Sequence, residues 1–389
     1  MSKRSLVARL SFAALSVAII VPSMAPAQAA NEIKIGVITT TSGGLKSYGD
    51  AYLDGLNWGL KYYTGGKMTV NGQKLVVTVK DDAADATSAT ATFKDMVGNG
   101  TKVIVGTASS TVGLALAPLA QQNKVLYISG PAKDPGITSP NNKYVFRSGN
   151  NSLQDFSPLV NLIKSPAGKK IVLFVEDNAF GAANAGAVKY FMAPKGVVFQ
   201  DIKVPTSTTD FTPFAKQAAD AKGAYIFIAW SAADKALAMM TALKQQGAFA
   251  KQIPVTGLAG AASYNFYGAV FEGTAAVMTN SYFGGVGKTK AANDLATSFA
   301  AAKKSQDLFT CTGADAAKMI VQALSGNPDV NVDTAISKLE GYSWVGVKGL
   351  MKVDPTTHVL IQPMFLVSLK KTSAGYVPQI VKTIPNVGA

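Results

Sequence analysis

Val103-Ile-Val-Gly-Thr-Ala-Ser-Ser-Thr-Val-Gly-Leu-Ala-Leu-Ala-Pro-Leu-Ala-Gln-Gln122 is the stretch on which the reading of this chain turns. Val103–Val105 is a β-branched run that suits a buried strand, and Gly106 ends it. Ser109, Ser110 and Thr111 then offer cap hydroxyls to a helix carrying Leu114, Leu116, Leu119 and Ala120. A strand that runs into a hydroxyl-rich helix start leaves backbone N–H groups aimed at the loop. The positive end of the helix dipole lies behind them, so the place suits a carboxylate or a phosphate. The plainer reading is that the hydroxyls only cap the helix.

The same alternation extends on both sides. Ile33–Ile38 is an apolar run suited to a buried parallel strand, followed by the polar loop Thr39–Ser47 and a helix over Tyr48–Tyr63 that stops at Gly65-Gly66. Met68–Lys80 reads as extended with a turn at Asn71-Gly72, and Asp85–Val97 as a helix. Val125–Ile128 is the next strand, before the loop Ser129-Gly-Pro-Ala-Lys-Asp-Pro135. Short apolar strands alternating with helices predict a doubly wound parallel sheet. The pattern restarts with a helix over Leu153–Ile163 and continues through strands at Lys170–Val175, Val197–Val204, Ala224–Ala229 and Ile253–Thr256. Further helices fall near Thr289–Lys303, Thr312–Leu324 and Val332–Leu339, and the tail from Lys348 is strand-like. No Pro-, Gly- or Ser-rich linker separates the halves, which predicts direct crossings between two lobes.

Composition bounds the rest. Lys3, Arg4 and Arg9, the apolar run Leu10–Val21 and the small-x-small site Ala27-Gln28-Ala29 have the form of a secretory signal. The expectation is export to the periplasm, with cleavage near Ala29 and a mature chain from Ala30 or Asn31. No later segment reaches the ~18 apolar residues of a membrane span. The chain is 48% hydrophobic and 15% charged, which is globular. Its single cysteine, Cys311, excludes an internal disulfide. The formal charge is +14, of which the signal region holds three. Lysines supply it in a dispersed pattern, and Arg147 is the only arginine beyond residue 9. Nucleic-acid binding is therefore not expected, and the charge is read as a solvated lysine-rich face.

Chemistry-bearing motifs are absent. Gly284-Gly-Val-Gly-Lys-Thr289 resembles the end of a phosphate loop, but Tyr282 stands where its first glycine belongs. His358 is the only histidine and lies far in sequence from Cys311, so neither a catalytic pair nor a metal site is expected. Asp81-Asp82 reads as a solvated approach to the following helix. What remains is three polar loops after strands, Thr39–Ser47, Gly106–Thr111 and Ser129–Lys133, with hydroxyls but no base or nucleophile. In an open parallel sheet ligands sit beyond the carboxyl ends of strands, so these loops suggest binding without reaction.

Ile33-Lys-Ile-Gly-Val-Ile38, the Ser-Gly loop and Tyr48-Gly-Asp50 open the chain in a way that resembles type I periplasmic solute-binding proteins of ABC importers, the subfamily with the leucine/isoleucine/valine-binding proteins. Val105-Gly106, Ser109-Ser110-Thr111, Ile128-Ser129-Gly-Pro-Ala132, Val145-Phe-Arg147, Phe180-Gly181 and Gly257 follow in the family's order. The resemblance covers nearly all of residues 31–389. It implies an α/β protein of two doubly wound parallel-sheet lobes joined by a three-crossing hinge. Lobe 1 would take 31–147 and about 279–345, and lobe 2 about 148–278 and 346–389.

The resemblance also implies ligand contacts. Ser110 would hold a carboxylate, with Ser109 and Thr111 beside it. Ser129, Gly130 and Ala132 would offer backbone groups, and Tyr48, Phe180, Trp230 and Tyr264 would pack on the ligand. The chain departs from the family twice. Lys133 stands where a small hydroxyl residue is usual, and Ala259 where an acid usually pairs with an amino acid's ammonium. A buried ammonium left without that acid costs several kcal/mol. Both departures favour an aromatic or branched carboxylate without an amine. The alternative is a hydrophobic amino acid, with Lys133 turned to solvent or paired with Asp134 and another acid such as Asp234 serving the ammonium. The expected role is delivery of a small carboxylate to ABC permease subunits by a monomer without cofactor. A ligand sensor feeding a receptor is the second reading, and an enzyme on an α/β scaffold the last.

Overall fold

The computed structural model describes residues 32–388 apart from Ala259. Its first sheet has the order β2-β3-β1-β4-β5-β6, from β1 (Glu32–Thr39), β2 (Thr69–Val70), β3 (Gln73–Asp81), β4 (Val103–Gly106), β5 (Leu126–Ser129) and β6 (Val145–Arg147). All neighbours are parallel except the short β2, which turns back on β3 at Asn71-Gly72. The apolar runs seen in the sequence are buried on both faces, as a sheet covered by helices requires. The helices α1 (Lys46–Tyr63), α2 (Ala86–Gly98) and α3 (Ser110–Asn123) belong to this lobe. So does the later helix α10 (Leu308–Leu324), which lies along α1. Those two helices touch backbone to backbone. A Cβ on Gly55 would stand 1.9 Å from the Thr310 carbonyl oxygen, and one on Gly313 would stand 2.0 Å from that of Tyr52.

The second sheet is built on β8-β7-β9-β10-β11, from β7 (Lys170–Glu176), β8 (Val198–Val204), β9 (Tyr225–Ala229), β10 (Ile253–Gly257) and β11 (Val277–Asn280), all parallel. The helices α4 (Ser152–Phe156), α5 (Ala179–Met192), α6 (Thr212–Asp220), α7 (Ala233–Gln245) and α8 (Tyr264–Phe271) accompany these strands. The helix expected over Leu153–Ile163 is only α4 followed by a 3-10 segment, because Pro158 cannot donate an i−4 bond. Two separate apolar clusters cover the faces of this sheet, and a third, around Ile33, Leu56, Val105 and Ile320, fills the first lobe.

The chain passes between lobes after β6, after β11 and within a late strand. After β11 it returns to the first lobe with α9 (Lys290–Ala301), α10 and α11 (Val332–Leu339), then the hairpin β12 (Ser343–Gly346) and β13 (Gly349–Val353). β14 (Leu360–Thr372) pairs with β13 at Leu360 and Ile361 and with β11 from Phe365 to Val367. Met351, Val353 and Leu360 pack in the first core, so the final crossing lies inside β14 and not at residue 346. β14 and β15 (Gly375–Val387) form a long antiparallel hairpin at the end. His358 is not within a strand. It sits at φ 57° in the turn before β14, its ring stacked on Phe146 at 3.9 Å. Among the described residues no helix is long and apolar enough to cross a membrane.

Candidate functional site

The facing carboxyl ends of the two sheets enclose a cleft. From the first lobe come Leu45 and Tyr48 after β1, Ala108 to Thr111 after β4, and Pro131 and Lys133 after β5. From the second come Phe180 on α5, Trp230 and Ser231 after β9, and Gly257 and Leu258 at and after the end of β10. Thr279, Asn280 and Ser281, at the second crossing, and Leu308 and Phe309 of α10 close the hinge side. The cleft has an inner cavity of about 80 Å³ and a mouth of about 410 Å³, which share Leu45, Ala108, Phe180 and Ser231 as walls.

The mouth lies against the start of α3. Ser109 caps that helix, its Oγ accepting from the Val112 N–H at 3.4 Å. The Ser109 N–H donates to Thr107 Oγ1 at 3.2 Å. The Ser110 and Thr111 N–H groups precede the first intrahelical bond, so they are free to bind an anion at the positive end of the dipole. Ser110 also has a structural task. Its Oγ accepts from the N–H groups of Lys133 at 3.1 Å and Asp134 at 3.3 Å, which ties the loop after β5 to the helix start. Thr111 is exposed at the mouth.

Arg147 holds the same loop from behind. It is wholly buried, donates through both terminal nitrogens to the carbonyls of Ala132 and Asp134, and its Nε has no protein partner. Burial pulls its pKa down to about 10, against the pull of Asp134. Lys133 then reaches the inner cavity. Its Nζ lies 3.1 Å from Asp155 on α4, with side chains 12% and 15% exposed. Burial lowers the lysine's pKa and the Asp155 carboxylate opposes that. The pair joins the lobes, and the Ser152 N–H donates to the Lys133 carbonyl at 2.9 Å beside it.

The aromatic walls are fixed by their neighbours. Tyr48 stacks on Phe309 at 4.3 Å, and burial raises its phenol far above the ordinary value, so it stays neutral. Trp230 packs edge-on to Phe211 at 5.2 Å, and its Nε1–H donates to the Ala232 carbonyl at 2.9 Å. Phe180 lines both cavities.

Other sequence-based choices lie elsewhere. Ser129, Gly130 and Ala132 line neither cavity. Ser129 and Ala132 are fully buried, with the Ala132 N–H donating to Thr107 and the Gly130 N–H to Gly106, so the loop turns Pro131 and Lys133 to the cleft instead. Tyr264 packs on the second-lobe core and lines neither cavity, while Phe266 and Tyr267 of α8 line an adjoining side chamber that shares Tyr48 and Trp230 with the inner cavity. Ala259 lies outside the described residues. Lys133 pairs neither with Asp134 nor with solvent. Asp82 is not solvated: it is fully buried and accepts from Thr40 Oγ1 at 2.6 Å, from the Ala84 N–H at 2.8 Å and from Thr107 Oγ1, bracing the ends of β1 and β4. The solvated reading holds for Asp81, which is exposed, and fails for Asp82, because a carboxylate's hydroxyl partners are set by sheet order, which local sequence does not display.

The acids around the cleft are mostly engaged. Asp155 has Lys133 and Asn150. Glu176 accepts from the Ser231 N–H at 3.0 Å and from Ser231 Oγ. Asp307 accepts from the N–H groups of Ala261, Phe309 and Thr310. Asp234, exposed at the mouth, is the one lining acid without a recorded partner among the described residues.

Comparisons with known proteins agree with this architecture. Residues 32–375 match the family model described as periplasmic binding protein. A crystal structure of an ABC-type branched-chain amino acid transporter from Rhodopseudomonas palustris is 28% identical, with a TM-score of 0.74 over 91% of this chain and 97% of that one. A solute-binding protein of an ABC transporter from the same species, solved with p-hydroxybenzoic acid, has a TM-score of 0.82 at 21% identity, covering 91% and 97%. A Leu/Ile/Val-binding protein homologue of Brucella melitensis is 25% identical over 169 residues, 43% of this chain and 45% of that protein. The chain thus spans about half the length of that curated relative.

Proposed function

The chain belongs to the periplasmic binding protein family, and from that premise we propose that it clamps a small carboxylate without an amine and presents it to an ABC permease in the membrane. The observation that carries this is the start of α3, open to the interlobe mouth with the Ser110 and Thr111 N–H groups unused. Closure of the lobes desolvates the anion there and sets Tyr48, Phe180 and Trp230 against its apolar body. The absence of an amine is supported by Lys133 in the cavity and by the engagement of Asp155, Glu176 and Asp307. The protein of like fold solved with p-hydroxybenzoic acid binds a ligand of this kind.

Binding without turnover belongs to the same reading: the Ser231 hydroxyl in the cleft donates to Glu176, a bond that ties the loop after β9 to the end of β7. Export to the periplasm as a monomer belongs to the same proposal. A second reading rests on Asp234: exposed at the mouth, it suits a hydrophobic amino acid's ammonium. A thermal-shift screen of amino acids, aromatic acids and keto acids separates the two. A ligand raises the melting temperature by mass action. Selective stabilisation by amine-free acids supports the proposal, and selective stabilisation by leucine or valine overturns it.

A further inference from the structure

We propose that Lys133 and Asp155 form a station that reads a hydroxyl on the ligand, so the preferred solute is a ring carboxylic acid hydroxylated away from its carboxylate. The inference rests on the carboxylate reading above. Its basis is the valence left on the pair. The lysine Nζ has three N–H donors, and the recorded partner is Asp155 at 3.1 Å. Asp155 accepts from Lys133 and from Asn150 Nδ2, and its oxygens have further lone pairs. An ammonium placed there meets Lys133, and a second carboxylate meets Asp155. A neutral group that donates to one and accepts from the other satisfies both without displacing either, and a hydroxyl is the smallest such group.

Size and connection agree. The inner cavity of about 80 Å³ is several times the ~10–15 Å³ that a cavity needs to hold one water, so it admits more than solvent. Ala108 and Phe180 line both this cavity and the mouth, so a ring anchored by its carboxylate at the start of α3 runs along Phe180 and Tyr48 toward the pair. Thr279, whose buried Oγ1 has no partner among the described residues, also lines this cavity and adds to its polar character. Because Lys133 follows β5 and Asp155 sits on α4, a hydroxyl that bonds both also bridges the lobes.

Calorimetry with benzoate, 4-hydroxybenzoate and 4-methoxybenzoate on the whole protein tests this. The wild type should bind the 4-hydroxy acid about tenfold or more tightly than benzoate, and the methoxy ether, which cannot donate, should lose that gain. In Asp155→Asn and Lys133→Met the hydroxyl preference should collapse to about threefold or less. Asp155→Asn keeps the side-chain shape, and melting curves show that each variant is folded. Equal wild-type affinities for benzoate and 4-hydroxybenzoate overturn the hydroxyl station alone. A preference that survives in both variants also overturns it. Failure of all three acids to bind overturns the carboxylate reading beneath it.

Discussion

Replacing Ser110 by alanine is the substitution whose cost follows most directly from the structure. The residue is 3% exposed, and its Oγ accepts from two backbone N–H groups, those of Lys133 and Asp134, at 3.1 and 3.3 Å. Alanine leaves both donors without that acceptor. Each such bond is worth ~0.5–1.5 kcal/mol net, so the folded protein should lose about 1–3 kcal/mol. With an unfolding entropy of ~2.1 cal/mol/K per residue, that is a fall in melting temperature of about 1–4 °C for a chain of this length. Affinity should fall further than stability. The loop that carries Lys133 loosens, and a hydroxyl donor to the ligand carboxylate disappears. A charge-assisted hydrogen bond of ~1.5–3 kcal/mol corresponds to about 10- to 100-fold in Kd. Differential scanning fluorimetry reads the first loss, and calorimetry with the best acid from the screen reads the second. Ser110→Ala with unchanged melting and unchanged Kd would refute both roles. Lower melting with unchanged Kd would leave Ser110 as a loop anchor only.

Other expectations concern the buried charges. Lys348 and Asp315 pair at 3.1 Å with side chains 1% and 0% exposed, joined by Gln362 on the crossing strand β14. Lys348→Met strands the carboxylate and should cost ~3–5 kcal/mol in chemical denaturation, while adding Asp315→Leu should recover most of it. A single variant as stable as wild type would contradict this. Lys133, whose pKa burial lowers, has a signed pH effect. Between its folded pKa and the unfolded value of about 10.5 the unfolded chain binds more protons, so this group makes stability rise with pH. The melting temperature of the wild type should therefore gain on that of Lys133→Met as pH climbs toward 10.5, and parallel profiles would show otherwise. Asp82→Ala leaves Thr40, Thr107 and the Ala84 N–H without their shared acceptor, and should cost about 2–4 kcal/mol by denaturant titration.

The parts of this protein that were legible in the sequence are those written in local periodicity. Ile33–Ile38, Val103–Val105 and Lys170–Val175 announce buried parallel strands because both faces are covered, and the hydroxyls after Val105 mark a helix start. Lys133 and the cleft aromatics Tyr48, Phe180 and Trp230 were found through order along the chain. The partner of Lys133 was not, since Asp155 lies past the first crossing in a five-residue helix with no distinctive spacing. Ser129, Gly130 and Ala132 were placed in the site because they adjoin it in sequence. The loop stays buried from Ser129 to Ala132, and its backbone groups there are spent on Gly106, Thr107 and Ser148. The last crossing was put too early because the hairpin before β14 looks like any tail strand, and only its packing of Met351 and Val353 shows which lobe owns it.

The most direct test of the account is a crystal structure with the tightest-binding acid from the screen. The account predicts the carboxylate within about 3 Å of the Ser110 or Thr111 N–H, enclosed by both lobes with its ring against Phe180 and Tyr48. A ligand whose anion sits away from the start of α3, or one held outside the interlobe cleft, would contradict it.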